Sequence, residues 1–160
     1  MNLVYNRTAQ DVETARTQRG TTLTPLKGCY NVSDLNRVES AVKLLAAALT
    51  SAGYPVEVTP VLKGNKAEDR EWQEGDIVRR AQWSTYLDNV QKLRDAYYTL
   101  AETGQLPAPE DKLGYVGANN IEKVLADIEL LIDCMKSSYR RCGTFHAGNN
   151  AAHLPLKGSI

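Results

Sequence analysis

Six apolar residues, Leu35, Val38, Val42, Leu45, Leu49 and Ala52, recur at steps of three and four. That spacing lines one face of an α-helix and cannot line one face of a β-strand. Trp83, Leu87, Val90, Leu93, Tyr97 and Leu100 form a second such seam, and Ile121, Leu125, Ile128, Ile132, Met135 and Tyr139 a third. An apolar stripe is stable in water only against another apolar surface, so three in one chain predict a helical bundle.

The residues between the seams mark the boundaries. Asn31 or Ser33 supplies a cap for the first long helix, and Gly53 and Pro55 stop it. The second runs to Gly104, ahead of Pro107 and Pro109; the third spans about Gly117 to Arg141, with Lys136, Arg140 and Arg141 where the helix dipole favours positive charge and Gly143 beyond. Thr8 and Asp11 form a capping box for a short helix from Ala9 to about Gln18, ended by Gly20. The stretch from Thr21 to Tyr30, with Pro25 and Gly28, reads as a loop. Val56, Val58 and Val61 alternate with polar residues while Pro55 and Pro60 forbid a helix, giving a short extended or β insertion at about 55–62. The charged run Lys63 to Glu74 reads as its solvated connector, and Glu39 and Lys43 as a pair one turn apart on the wetter face of the first helix, worth about 0.3 kcal/mol. The expected fold is mainly α: three long helices and a short N-terminal one forming a bundle over residues 1–143, then an irregular, partner-contacting extension over 144–160.

A chain of 160 residues fits one domain. Its 19 basic and 19 acidic residues cancel, and neither half carries a long block of one sign, so we expect no nucleic-acid or anionic-membrane partner. Cys29, Cys134 and Cys142 are odd in number without a C-x-x-C pair, which argues for free thiols from a reducing compartment. Met1 to Asp11 lacks the basic start and apolar run of a signal peptide, and no later run reaches the roughly 18 residues that span a bilayer. Asn6-Arg7-Thr8 and Asn31-Val32-Ser33 match the glycosylation sequon but read better as helix starts.

Candidate chemistry is sparse. Cys134, Cys142, His146 and His153 include one spacing used in zinc sites but no knuckle and no second close pair, so free thiols and surface histidines are preferred over zinc or a cysteine nucleophile. Gly64-Asn65-Lys66 and Gly114-Tyr115-Val116-Gly117 lack the phosphate-loop patterns. Asp69 with Glu71, and Glu110 with Asp111, sit in polar connectors with nothing to bury them and shift their pKa. We therefore expect no enzyme activity, no cofactor and no metal. Pro25-Leu26-Lys27-Gly28 recurs as Pro155-Leu156-Lys157-Gly158, through chance or as two similar turns or pairing strands. Asn36-Arg37-Val38-Glu39, Asp88-Asn89-Val90-Gln91 and Asn119-Asn120-Ile121-Glu122 echo one another at unequal spacings, which excludes a solenoid. Their asparagines either bond neighbouring backbone and bridge elements or are exposed positions near helix starts.

Four stretches, in order, carry a resemblance: Tyr5-Asn6-Arg7-Thr8-Ala9-Gln10-Asp11-Val12, Leu26 through Glu39, Tyr86-Leu87-Asp88-Asn89-Val90, and Asn119 through Ile128. Together with the turn Gly53-Tyr54 they resemble a family of small helical modules in structural proteins of phages and prophages of Gram-positive, often gut-dwelling, bacteria. Asn120 stands where that family tends to have Asp. The resemblance implies a virion protein synthesised in the host cytoplasm, a tail, baseplate or fibre-associated adaptor with other phage structural proteins as partners. Its alternatives are a head-attached fibre or decoration protein and a soluble interaction module outside the particle. A homo-oligomer is expected, with partner contacts through the two ends of the chain: Leu3 and Tyr5, and Phe145, His146, Leu154, Leu156 and Ile160.

Overall fold

The computed structural model describes residues 1–18, 25–64 and 67–141, the last three by their backbone. Its helices are α1 (Ala9–Thr17), α2 (Val32–Ser51), α3 (Arg80–Ala96) and α4 (Tyr115–Arg141), the mainly α bundle that three seams and a capping box call for. Thr8 and Asp11 cap α1 reciprocally: the Asp11 N–H donates to Thr8 Oγ1 at 3.2 Å and the Thr8 N–H to the Asp11 carboxylate at 2.7 Å. Asn31, not Ser33, caps α2, accepting from the Ser33 N–H at 3.0 Å while Asp34 accepts from the Asn31 N–H at 2.9 Å. At the far end of α2, Gly53 takes a φ of +94°, and the Tyr54 N–H closes back on the Leu49 carbonyl at 2.9 Å. A left-handed residue is what such a closure requires, and glycine adopts it without a Cβ clash.

The second long helix is shorter than its seam. α3 ends at Ala96, so Tyr97 and Leu100 lie beyond it and Gly104 does not terminate it. Tyr97-Tyr98-Thr99 are weak helix formers, and tertiary contacts take over there. Tyr97 packs edge-on against Tyr54 with ring centroids 4.7 Å apart, Thr99 Oγ1 donates to the Arg94 carbonyl at 3.3 Å, and Arg94 donates to the Gly104 carbonyl at 3.0 Å.

α2, α3 and α4 each touch the other two, and they run in the same direction. Tyr30, just before α2, meets Trp83 and Tyr86 near the start of α3, whereas Tyr54, just after α2, meets Tyr97, just after α3. Arg37 in the first half of α2 bonds Glu122 in the first half of α4. Parallel neighbours need long return connections. The described residues of 54–79 and 97–114 supply them, returning beside the helices without helix of their own, and residues 1–8 descend along α4 in the same way. Val38, Leu49, Val90, Leu93, Ile121 and Leu125 meet inside and are fully buried.

Two expectations about the middle of the chain are corrected. Residues 55–62 are neither helix nor strand; among the described residues the only β pairing is an isolated bridge between Lys63 and Glu68. The charged run Lys63 to Glu74 is exposed over most of its described residues, as a solvated connector is, but Lys63 and Trp72 within it are 1% and 3% exposed and both contact Glu39. Glu39 therefore does not serve Lys43 on a wet face; Lys43 instead lies 3.8 Å from Asp69. The ends foreseen at Gly20 and Gly143, and the extension 144–160, lie outside the described residues.

Candidate functional site

The densest polar chemistry is a buried ion cluster joining the N-terminal segment, α2 and α4. Arg7 Nη2 donates to Asp34 at 3.0 Å and to Glu122 at 2.8 Å; Arg37 donates to Glu122 from Nε at 3.0 Å and from Nη2 at 2.8 Å, and also bonds Asp34. The Val4 N–H donates to the other Glu122 oxygen at 2.6 Å. Two guanidinium and two carboxylate charges balance, which is how a low-dielectric interior tolerates them. Arg7 also lies 5.4 Å over the Tyr30 ring, and Tyr30 and Tyr86 join their hydroxyls at 2.6 Å. Burial pushes both phenols well above their ordinary value, so the pair stays neutral. Among the described residues, Arg7 Nε is the buried side-chain nitrogen without a partner. The side chains of Arg7, Asp34 and Glu122 are 2%, 7% and 0% exposed and that of Arg37 22%, so the cluster ties the N-terminal segment, α2 and α4 together from within.

Three asparagines extend this design. The Arg7 N–H donates to Asn119 Oδ1 at 3.0 Å while Asn119 Nδ2 donates to the Arg7 carbonyl at 2.8 Å. Asn89 holds both backbone groups of Thr59 at 2.9 and 2.7 Å, and Asn36 holds both of Trp72 at 2.7 and 3.0 Å. An amide carries a donor and an acceptor side by side, so it can stand in for a neighbouring strand at one residue. Each long helix thus clamps one descending segment, and bridging is the correct choice for these asparagines. Asn120, from the same echo, donates to the Gln105 carbonyl at 2.8 Å.

A second polar node anchors the returning loop. Lys63 Nζ donates to Glu39 at 2.6 Å and lies 5.5 Å over the Trp72 ring, whose Nε1 donates to the other Glu39 oxygen at 2.6 Å. Beyond it, Arg70 grips Asp76 with two nitrogens at 2.7 and 2.8 Å, and the Gln73 N–H adds a third bond at 2.8 Å. These bonds, led by Arg70, hold the Asp76 carboxyl at about 2 against an ordinary 3.8. A carboxyl depressed by folding contributes stability above its unfolded pKa and loses it as pH falls through its folded value. The clasp is therefore complete above pH 3.8 and opens as pH approaches about 2. A carboxyl carbon NMR titration of Asp76 checks this; a midpoint at the ordinary value would mean that the clasp does not form in solution.

The expected contact residues divide. Leu3 is partly buried against the core, whereas Tyr5 is 47% exposed with the Lys123 ammonium 5.8 Å over its ring. Phe145, His146, Leu154, Leu156 and Ile160 lie outside the described residues, as do Cys142 and His153. Cys29 and Cys134 are exposed free thiols. Among the described residues no group of three or more His, Cys, Asp or Glu is placed to hold a metal ion, and no helix is long and apolar enough to cross a membrane. Sequence reasoning did not single out Arg7, Asp34, Arg37, Glu122 and Lys63 as a network. One signal for Glu122 was present: it flanks the third seam and has no cation three or four residues away on its own helix, so its partner had to come from elsewhere.

Exposed apolar surface gathers where the long helices begin. Ile77, Val78 and Val116 are 80%, 40% and 55% exposed, and Tyr30, Leu35, Val78, Trp83 and Leu113 line a shallow hollow there. Beside it, a groove of about 490 Å³ opens between α1, the turn at Gly28 and the start of α4, with Val12, Leu113 and Tyr115 among its walls. No protein-family model, curated protein or solved structure matches the chain significantly.

Proposed function

We propose that this chain is a bacteriophage structural protein, a tail, baseplate or fibre-associated adaptor that joins other virion proteins and works as a multimer. One observation carries the reading. The four stretches that resemble the phage module are far apart in sequence, yet they meet: Arg7, Asp34, Arg37 and Glu122 in one cluster, Asn119 on the Arg7 backbone, and Tyr86 on Tyr30. Four unrelated short matches have no reason to converge on one framework, whereas the residues that define a module do. The assignment to a phage particle comes from the resemblance.

The division of polar and apolar groups fits an assembly role. The buried charges are engaged with one another, while Ile77, Val116, Leu44 and Leu130 stand more than half exposed. Surface of that kind marks contact with partners when it is contiguous. Immunogold labelling of purified particles is the test. We expect label on the tail or its tip; antibody that detects the protein in an induced lysate but never marks virions overturns the reading.

A further inference from the structure

We propose that the groove between α1 and the start of α4 receives the second Pro-Leu-Lys-Gly segment, Pro155–Gly158, from a neighbouring copy of the chain. This rests on the proposed function only in that the chain works as a multimer.

The first Pro-Leu-Lys-Gly shows what α1 recognises. Gly28 lies so close to α1 that a Cβ there would stand 2.0 Å from the Asp11 carbonyl oxygen and 2.6 Å from the Val12 nitrogen. No other residue type fits without displacing backbone. Lys27 Nζ stands 3.3 Å from the Asp11 carboxylate, and the Cys29 N–H closes the turn on the Leu26 carbonyl at 2.9 Å. A lysine on a carboxylate of α1, followed by a glycine against its backbone, is a defined docking chemistry rather than a generic loop. The same four residues recur at 155–158.

Next to the occupied position the groove is open and offers a second carboxylate of α1 beside apolar walls. Gly28 forms one wall and Val12, Leu113 and Tyr115 the apolar part; Glu13, Arg16 and Lys112 are the charged residues around it. Glu13 is 59% exposed and meets Arg16 only at 3.4 Å, leaving a carboxylate lone pair for Lys157. Pro155 and Leu156 match the apolar walls in size and character.

Distance selects a neighbour over the chain's own extension. α4 has 27 residues, so its rise carries the chain about 40 Å from the groove at its start. The stretch from Cys142 to Pro155 spans at most about 50 Å when fully extended. Return to the same molecule would leave that stretch little conformational freedom, an entropic cost that a neighbour near the end of α4 removes. The contact is head to tail, the kind that closes into rings or continues as filaments.

A fluorescent peptide of residues 151–160, titrated with the full chain, tests the groove, and sedimentation of the full chain tests the assembly. We expect saturable binding that weakens at least about tenfold with Leu156→Asp in the peptide or Tyr115→Ser in the protein. Glu13→Lys should weaken binding, and Lys157→Glu in the peptide should restore it. Leu156→Asp in the full chain should lower the assembled mass. Absence of saturable binding, indifference to both Tyr115→Ser and Glu13→Lys, or a chain monomeric at every concentration each overturns the proposal. None of these measurements uses virions, so they fail or succeed separately from the labelling of particles.

Discussion

Glu122→Ala is expected to cost about 3–5 kcal/mol of folding stability, the range for removing one partner of a buried ion pair. The glutamate is 0% exposed and accepts from Arg7, Arg37 and the Val4 N–H. Without it two guanidinium groups share Asp34 alone, and Arg7, 2% exposed, is left with a positive charge that is only partly compensated. For a domain of this size the loss corresponds to a fall in Tm on the order of 10 °C, measured by thermal and denaturant unfolding. Glu122→Gln retains an acceptor for the Val4 N–H but no charge, and should fall between alanine and the parent. An alanine variant within 1 kcal/mol of the parent would mean that the cluster is hydrated in solution.

Lys63→Ala should cost about 3 kcal/mol, the low end of the same range, because the Glu39 side chain is 15% exposed and recovers some water when its partner leaves. The damage should be local before it is global. Lys63 ties the returning loop to α2 through Glu39 and covers Trp72, so hydrogen exchange should accelerate first at Lys63, Glu68 and Trp72, whose amides are bonded within or beneath this node. Amides in the middle of α4 should exchange only with global unfolding. Uniform acceleration along the chain would assign Lys63 to the core instead of to the loop.

Both variants strike at residues whose importance was hard to read in one dimension. Glu122 and Arg37 stood out only as members of echoing stretches and Lys63 as part of a solvated connector, since charged residues are seldom fully buried. What reverses that prior is proximity between residues distant in sequence, Arg7 to Glu122 or Lys63 to Glu39. The asparagine echo was legible as a pattern, but only the return segments running beside the helices turned Asn36, Asn89 and Asn119 into clamps. The groove by α1 was not legible at all, because its walls come from α1, the turn at Gly28 and the start of α4.

By itself the sequence determined the helices, their inward faces and most of their ends. Periodicity, capping residues and the glycine at position 53 act over a few residues, and their physics needs no knowledge of the rest of the chain. The tertiary structure decided that the long helices run parallel, that α3 stops at Ala96, and that Lys63 and Trp72 turn inward. Those outcomes depend on where unpaired backbone groups and charges find partners once the chain has collapsed. Apolar burial is non-directional and can be read from spacing, whereas hydrogen bonds and ion pairs need two groups at a set distance, which only the folded chain supplies.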